Sequence, residues 1–105
     1  MDNEQLVARI QAGEDEADNM LQLWQQNRGF IARMARKYVS LAEMEDLEQE
    51  GYIGLCEAVR RYDPGKGVAF INYAAFWIRQ AMRRYVDNCG AVVRIPSGMV
   101  DWIRE

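Results

Sequence analysis

DLEQEGYIGLCEAVRRYDPGKGVAFINYAAFWIRQAMRRYVDN, Asp46 to Asn88, decides the fold. Its first part belongs to a helix predicted from about Met44 to Arg61. Leu47, Gly51, Gly54, Leu55, Ala58 and Tyr62 recur at intervals of three and four, the rhythm of one helical face. Two glycines on that face each weaken a helix by about 1 kcal/mol relative to alanine. Glycine kept on an apolar face signals that another helix passes close. "DPGKG", Asp63 to Gly67, is a turn by its chemistry: proline presets one backbone angle and glycine supplies another. The next helix is predicted from about Ala69 to Asn88, ending near Gly90. On its wheel Ile71, Ala74, Ile78, Ala81, Met82 and Tyr85 share one arc, a core face.

Working outward, every remaining segment also reads as helix. Asp2 or Asn3 can cap a short first helix through Ala12, stopped by Gly13. A second begins near Glu14, with its acids in the first turn where the helix dipole favours them. Leu21, Trp24, Ile31, Met34, Ala35 and Tyr38 keep its rhythm, and Arg28-Gly29 is expected to bend or break it. "RIP", Arg94 to Pro96, is an extended exit, and Ser97 caps a last helix that is cut short at Glu105. The expected fold class is all-α, a compact bundle of about four to five helices, and the chain reads as a piece of a longer protein.

Composition narrows the function classes. The chain has 105 residues, half of them hydrophobic, which argues against disorder. The longest apolar run, Tyr73 to Ile78, is far too short to span a membrane. There is no histidine, so the usual general base and the usual transition-metal ligand are missing. Cys56 and Cys89 form no CxxC pair and cannot build a zinc site alone. No cofactor or metal is expected. "DPGKG" is not a phosphate loop, because no Ser or Thr follows the lysine and no strand precedes it. No catalytic constellation converges, so an enzyme is not expected.

The net charge of −3 conceals a strong polarity. Residues 1–57 carry twelve acids against five bases, whereas residues 60–94 carry seven bases against two acids. An acidic front and a basic back suit two different partners, a basic protein and a polyanion; surface charge that happens to segregate is the plainer alternative.

Two faces carry the chemistry. On the helix after the turn, a second arc gathers Phe70, Tyr73, Phe76, Trp77, Gln80 and Arg84, with Arg79 and Arg83 at its edge. Aromatic rings beside guanidinium groups suit unstacked nucleic-acid bases, each stack contributing about 1–3 kcal/mol. Arginines hold phosphates, and a glutamine can read a base edge. The competing reading is a helix buried on two sides, with the rings simply core. On the preceding helix, Asp46, Gln49 and Glu50 share one surface at i, i+3 and i+4, with Glu43, Glu45 and Glu48 nearby. That surface is either a solvated face or a docking stripe for a basic helix. A carboxylate metal site is disfavoured, since such bundles use Glu-x-x-His pairs.

"DLEQEGYIGLCEAVRRYDPGKGVAFINYAAFWIRQAMRR" followed by "VVRIP" resembles region 2 of the primary-type, sigma-seventy family sigma factors of bacterial RNA polymerase. The D-L-x-Q-E-G helix, the F-x-x-Y-A-x-x-W-I-R-Q-A helix and the R-I-P exit come in order at the right separations. The resemblance covers about Asn27 to Asp101. It divides the chain into N-terminal helices at 1–26, region 2 at 27–93 and the start of a following region 3 helix at 94–105.

The resemblance implies a compact helical bundle that docks on a helical coiled coil of the largest subunit of core RNA polymerase. Asp46, Gln49 and Glu50 would dock there, with Tyr52 and Cys56 at the edge. It implies a promoter-DNA partner as well. Phe70, Tyr73, Phe76 and Trp77 match aromatics that melt the minus-ten element, Tyr73 stacking on the flipped upstream adenine of the single-stranded non-template strand. Gln80 and Arg83 match positions at the last paired base pair, and Arg79 and Arg84 match backbone-contacting or supporting arginines. Asn27 matches an asparagine near the downstream end of the element, and Lys66 a basic residue near the melted strand. The implied place of action is the bacterial cytoplasm, at the nucleoid.

Several residues depart from the family pattern. Phe76 replaces the first of two adjacent tryptophans, Val68 and Ala69 an aromatic and a lysine, and Arg83 a small hydroxyl residue. Gly98 and Asp101 replace the histidine and glutamate of the extended-promoter helix. These departures point to an alternative sigma factor, and no segment like a minus-thirty-five reading domain is expected within these 105 residues. The competing function is a helical sigma mimic that binds polymerase or an anti-sigma factor without reading DNA.

Overall fold

The computed structural model describes the backbone of residues 1–93 and the side chains of residues 1–88. The extended exit, the last helix and the Gly98 and Asp101 positions lie outside the described residues. Helices α1 (Asn3–Gln11), α2 (Glu16–Ala35), α3 (Met44–Arg61) and α4 (Phe70–Val93) follow in order. Short 3-10 turns at Arg36–Tyr38 and Pro64–Lys66 precede α3 and α4. The fold is the all-α bundle that the sequence predicts.

Asp2 starts α1 through a capping box: its carboxylate accepts the Gln5 N–H at 2.8 Å, and the Gln5 side chain accepts the Asp2 N–H at 3.0 Å. α2 runs through Arg28-Gly29 without a break. Gly29 is exposed, while Asn27 and Ile31 on either side are buried. Packing of those neighbours outweighs the roughly 1 kcal/mol that one glycine costs a helix. α4 likewise runs past Gly90 to Val93. The α3 boundaries coincide with those read from the sequence.

α3 and α4 form the antiparallel heart of the bundle. Their register follows from three pairings: Gly54 against Ile78, Gly51 against Met82, and Asp46 against Tyr85. All six predicted apolar positions of α3 are buried. On α4, Ala74, Ile78, Ala81 and Met82 are buried, while Ile71 and Tyr85 at the arc's edges are half-buried. Leu6, Val7, Leu23 and Ile31 complete one continuous cluster. Leu6, Val7 and Leu23, which precede residue 27, belong to this core, and residue 26 lies inside α2. Each such fully buried side chain contributes about 1.5–3 kcal/mol relative to exposure.

The corner between α3 and α4 is fixed from several sides. Asp63 accepts the Gly65 N–H at 2.9 Å, and Gly67 takes a positive φ of 74° that other residues rarely adopt. The Tyr62 hydroxyl donates to the Val68 carbonyl. Glu4 of α1 reaches across the fold and accepts the Phe70 N–H at 2.7 Å. A carboxylate there satisfies an orphan donor and complements the positive end of the α4 dipole.

Candidate nucleic-acid face and docking ridge

The α3–α4 corner sets the rings of α4 in a graded series. Phe70 is fully buried and stands edge-on to Tyr62 at 5.2 Å between centroids. This corrects its expected place on the open arc. Phe70 lies at the border of the two arcs, and at the start of the helix Tyr62 stands against its ring, which turns it into the core. Tyr73 and Trp77 are half-buried, and Phe76 is 52% exposed. Tyr73 lies 5.7 Å from Tyr62 and 6.4 Å from Trp77, and Phe76 stands edge-on to Trp77 at 5.4 Å. Three of the four predicted rings thus reach the surface as one connected strip.

Cations border the strip. Arg79, Gln80, Arg83 and Arg84 are all exposed, and the last three line an open recess of about 300 Å³ with Asp87. The Arg61 guanidinium lies over the Trp77 ring, 5.0 Å from its centroid. Glu57 holds Arg61 by an ion pair one turn along α3 and contacts Arg60 at 3.3 Å. The Arg61 hydrogen bond is the main cause that holds the Glu57 carboxyl below the usual glutamate range. The Tyr73 hydroxyl donates to the Arg61 carbonyl at 3.3 Å.

A more enclosed pocket of about 350 Å³ opens beside Tyr73, lined by Arg61, Tyr62, Asp63, Lys66 and Val68. Lys66 itself is exposed. The sequence does not single out Arg61, Tyr62 or Asp63 for this pocket, because Arg61 reads as ordinary surface charge, Tyr62 as core and Asp63 as turn chemistry. Asn27 is also placed differently from the expectation. It is buried, its amide donates to Leu23 O at 2.8 Å and Asn3 Oδ1 at 2.9 Å, and its oxygen accepts from Asn3 at 3.2 Å. Its side chain ties α1 to α2 and is not offered to solvent.

The predicted docking residues share α3. Gln49 is exposed, and Asp46, Glu50 and Cys56 are half-buried. Asp46 accepts the Tyr85 hydroxyl at 3.0 Å, which seats the start of the ridge against α4. Tyr52 stands edge-on to Trp24 of α2 at 5.3 Å. These two rings, with Glu45, Glu48, Gln49 and the 55% exposed Ile53, line an open groove of about 620 Å³. The ridge is therefore apolar as well as acidic. A lone ring at helical spacing such as Trp24 reads as core, and Ile53 falls off the apolar face of α3, so the sequence singles out neither. Burial pushes the Cys56 thiol up from its ordinary value and has the same effect on the Tyr52 phenol.

Among the described residues, no cluster of carboxylates and thiols could hold a metal ion, and no helix is long and apolar enough to cross a membrane. An all-α bundle with a cationic aromatic face and an acidic, apolar ridge is what the geometry defines. Residues 23–88 match the Sigma-70 region 2 family, and the chain belongs to it. It is 37% identical over 105 residues to RNA polymerase sigma factor SigA of a Bacillus species, covering 99% of this chain and 27% of that protein. Identity is 39% over 101 residues to SigA of Listeria monocytogenes, covering 95% and 26% of the two chains. It is 39% over 95 residues to RNA polymerase sigma factor SigA4 of Synechococcus elongatus, covering 90% and 30%. The chain spans between a quarter and a third of the length of these relatives. No solved structure matches it significantly.

Proposed function

We propose that the protein acts in transcription initiation as a sigma-factor domain, docking on core RNA polymerase and recognising and melting the promoter minus-ten element. Membership of the family supports the initiation role. The observation that carries the DNA reading is the surface strip Tyr73–Phe76–Trp77 beside exposed Arg79, Gln80, Arg83 and Arg84.

Unstacking a base costs a few kcal/mol, and a pocket with an aromatic wall returns that cost only for a strand already open or easily opened. Thymine–adenine steps open most readily. The pocket beside Tyr73, with Lys66 and Arg61 on its rim, has the make-up to take one flipped base of the non-template strand and its phosphate. Phe76 and Trp77 would meet bases further along, and Gln80 and Arg83 the last paired base pair. Because the whole chain is acidic, DNA affinity alone is expected to be weak. Docking through Asp46, Gln49 and Glu50, with Tyr52 and Cys56 at the margin, brings the basic helix to the promoter. The reading assigns no catalysis and no cofactor to the domain, and places it in the bacterial cytoplasm at the nucleoid.

The test is fluorescence anisotropy with a labelled minus-ten single strand, comparing wild type with Tyr73→Ala and Trp77→Ala. A stack contributing about 1–3 kcal/mol predicts binding weaker by about five- to 150-fold in each variant. Equal binding by all three proteins would leave the sigma-mimic reading, in which the acidic ridge alone captures polymerase or an anti-sigma factor.

A further inference from the structure

We propose that Glu57 and Arg61 form a positioning pair for Trp77: the carboxylate orients the guanidinium, and the guanidinium holds the indole where an opened base can meet it. This rests on the reading of Trp77 as a base-contacting ring.

A tryptophan near a surface is commonly anchored by its N–H, which finds an acceptor. Trp77 is not held that way by any described residue, since its buried Nε1 has no hydrogen-bond partner among them. Its ring is instead fixed by edge contacts with Tyr73 and Phe76 and by the cation over its face. Arg61 could leave that face freely, because its side chain is 54% exposed. Glu57 restrains it from the preceding turn, with the acid N-terminal to the base, the better order for an i,i+4 pair. The same arginine's carbonyl accepts the Tyr73 hydroxyl, so the last turn of α3 braces two rings of the strip at once.

The proposal has a sign that simple electrostatics does not share. Removing a carboxylate beside a DNA-binding face ordinarily tightens binding. If Glu57 acts through Arg61 and Trp77, Glu57→Gln weakens it instead, by about two- to five-fold, the change that an exposed cation–π contact corresponds to. Arg61→Ala weakens it by at least as much. In a Trp77→Ala background, Glu57→Gln no longer weakens binding at all.

The experiment uses the full chain and a labelled minus-ten single strand at fixed salt. It compares wild type, Glu57→Gln, Arg61→Ala, Trp77→Ala and Glu57→Gln/Trp77→Ala by anisotropy, with circular dichroism to verify folding. A second readout, independent of DNA, is the ¹⁵N indole resonance of Trp77, assigned by its loss in Trp77→Ala. It is expected to shift in Glu57→Gln and Arg61→Ala. Binding by Glu57→Gln as tight as wild type or tighter, or an equal weakening by Glu57→Gln with and without Trp77, overturns the positioning role. If Trp77→Ala itself binds like wild type, the stacking assignment fails and the positioning role falls with it, an outcome distinct from the first two.

Discussion

Gly54 of α3 meets Ile78 of α4 at backbone distance: a Cβ added to Gly54 would stand 2.7 Å from Ile78 Cα and 2.7 Å from the Trp77 carbonyl oxygen. Neither atom can move without shifting α4, which also carries the aromatic strip. Alanine at 54 gains about 1 kcal/mol of helix propensity. Forcing the helices apart costs about 1–3 kcal/mol, and here two backbone atoms collide, so a net loss is expected. Gly51→Ala meets side-chain atoms instead, at 2.5 Å from Ile31 Cγ2 and 2.9 Å from Met82 Cε. Urea unfolding is expected to rank Gly54→Ala as the more destabilising of the two.

Phe70 and Phe76 lie six residues apart on one helix and separate stability from binding. Phe70 is fully buried, so Phe70→Ala is expected to cost about 3–5 kcal/mol of folding stability. Phe76 is half-exposed, and Phe76→Ala is expected to leave the thermal midpoint nearly unchanged while weakening single-strand binding. Thermal melts and anisotropy on both variants check this. A loss of stability at Phe76 equal to that at Phe70 would place the ring in the core.

Much of this arrangement was legible in the residues. The spacing of Leu47, Gly51, Gly54, Leu55, Ala58 and Tyr62 yields both the α3 boundaries and its buried face, because period and glycine placement are local properties. Phe70 was misplaced because a helical wheel has no ends. Glu4 and Tyr62, distant or round a corner in sequence, determine what covers the first turn of α4. Asn27 is assigned by the resemblance alone, and its pairing with Asn3 of another helix is not a local property that the sequence shows. The Arg61–Trp77 contact joins two helices through a turn, and nothing in periodicity predicts which guanidinium crosses it.

The proposed docking ridge has its own test. Gln49→Ala and Glu50→Ala are expected to reduce capture of core RNA polymerase in a pull-down without altering circular dichroism, since neither side chain is fully buried. Tyr85→Phe removes the hydroxyl that Asp46 accepts, and a lost hydrogen bond of this kind typically costs about 0.5–1.5 kcal/mol of stability. If docking depends on Asp46 being held in place, Tyr85→Phe also weakens capture. Unchanged capture by Gln49→Ala and Glu50→Ala together would remove the ridge from the interface.

Among the groups that shape the pH dependence of stability, Tyr62 and Glu57 act with opposite signs. Burial pushes the Tyr62 phenol up from its ordinary value of 10.0. As pH rises through that value the unfolded chain loses its phenolic proton before the folded one, so stability falls. The Tyr62 contribution is complete at neutral pH and declines on the alkaline side. Glu57 works the other way. Its carboxyl, held down chiefly by the Arg61 hydrogen bond, contributes above the ordinary glutamate value, and that contribution is lost as pH falls through the lowered one. Arg61 is exposed and solvent screens the pair, so the acid effect is small. Urea midpoints measured from pH 4 to 11 are expected to show an alkaline decline that Tyr62→Phe flattens. An alkaline limb of unchanged steepness in Tyr62→Phe would assign it to other groups, with Cys56 and Tyr52, both raised by burial, next to be substituted.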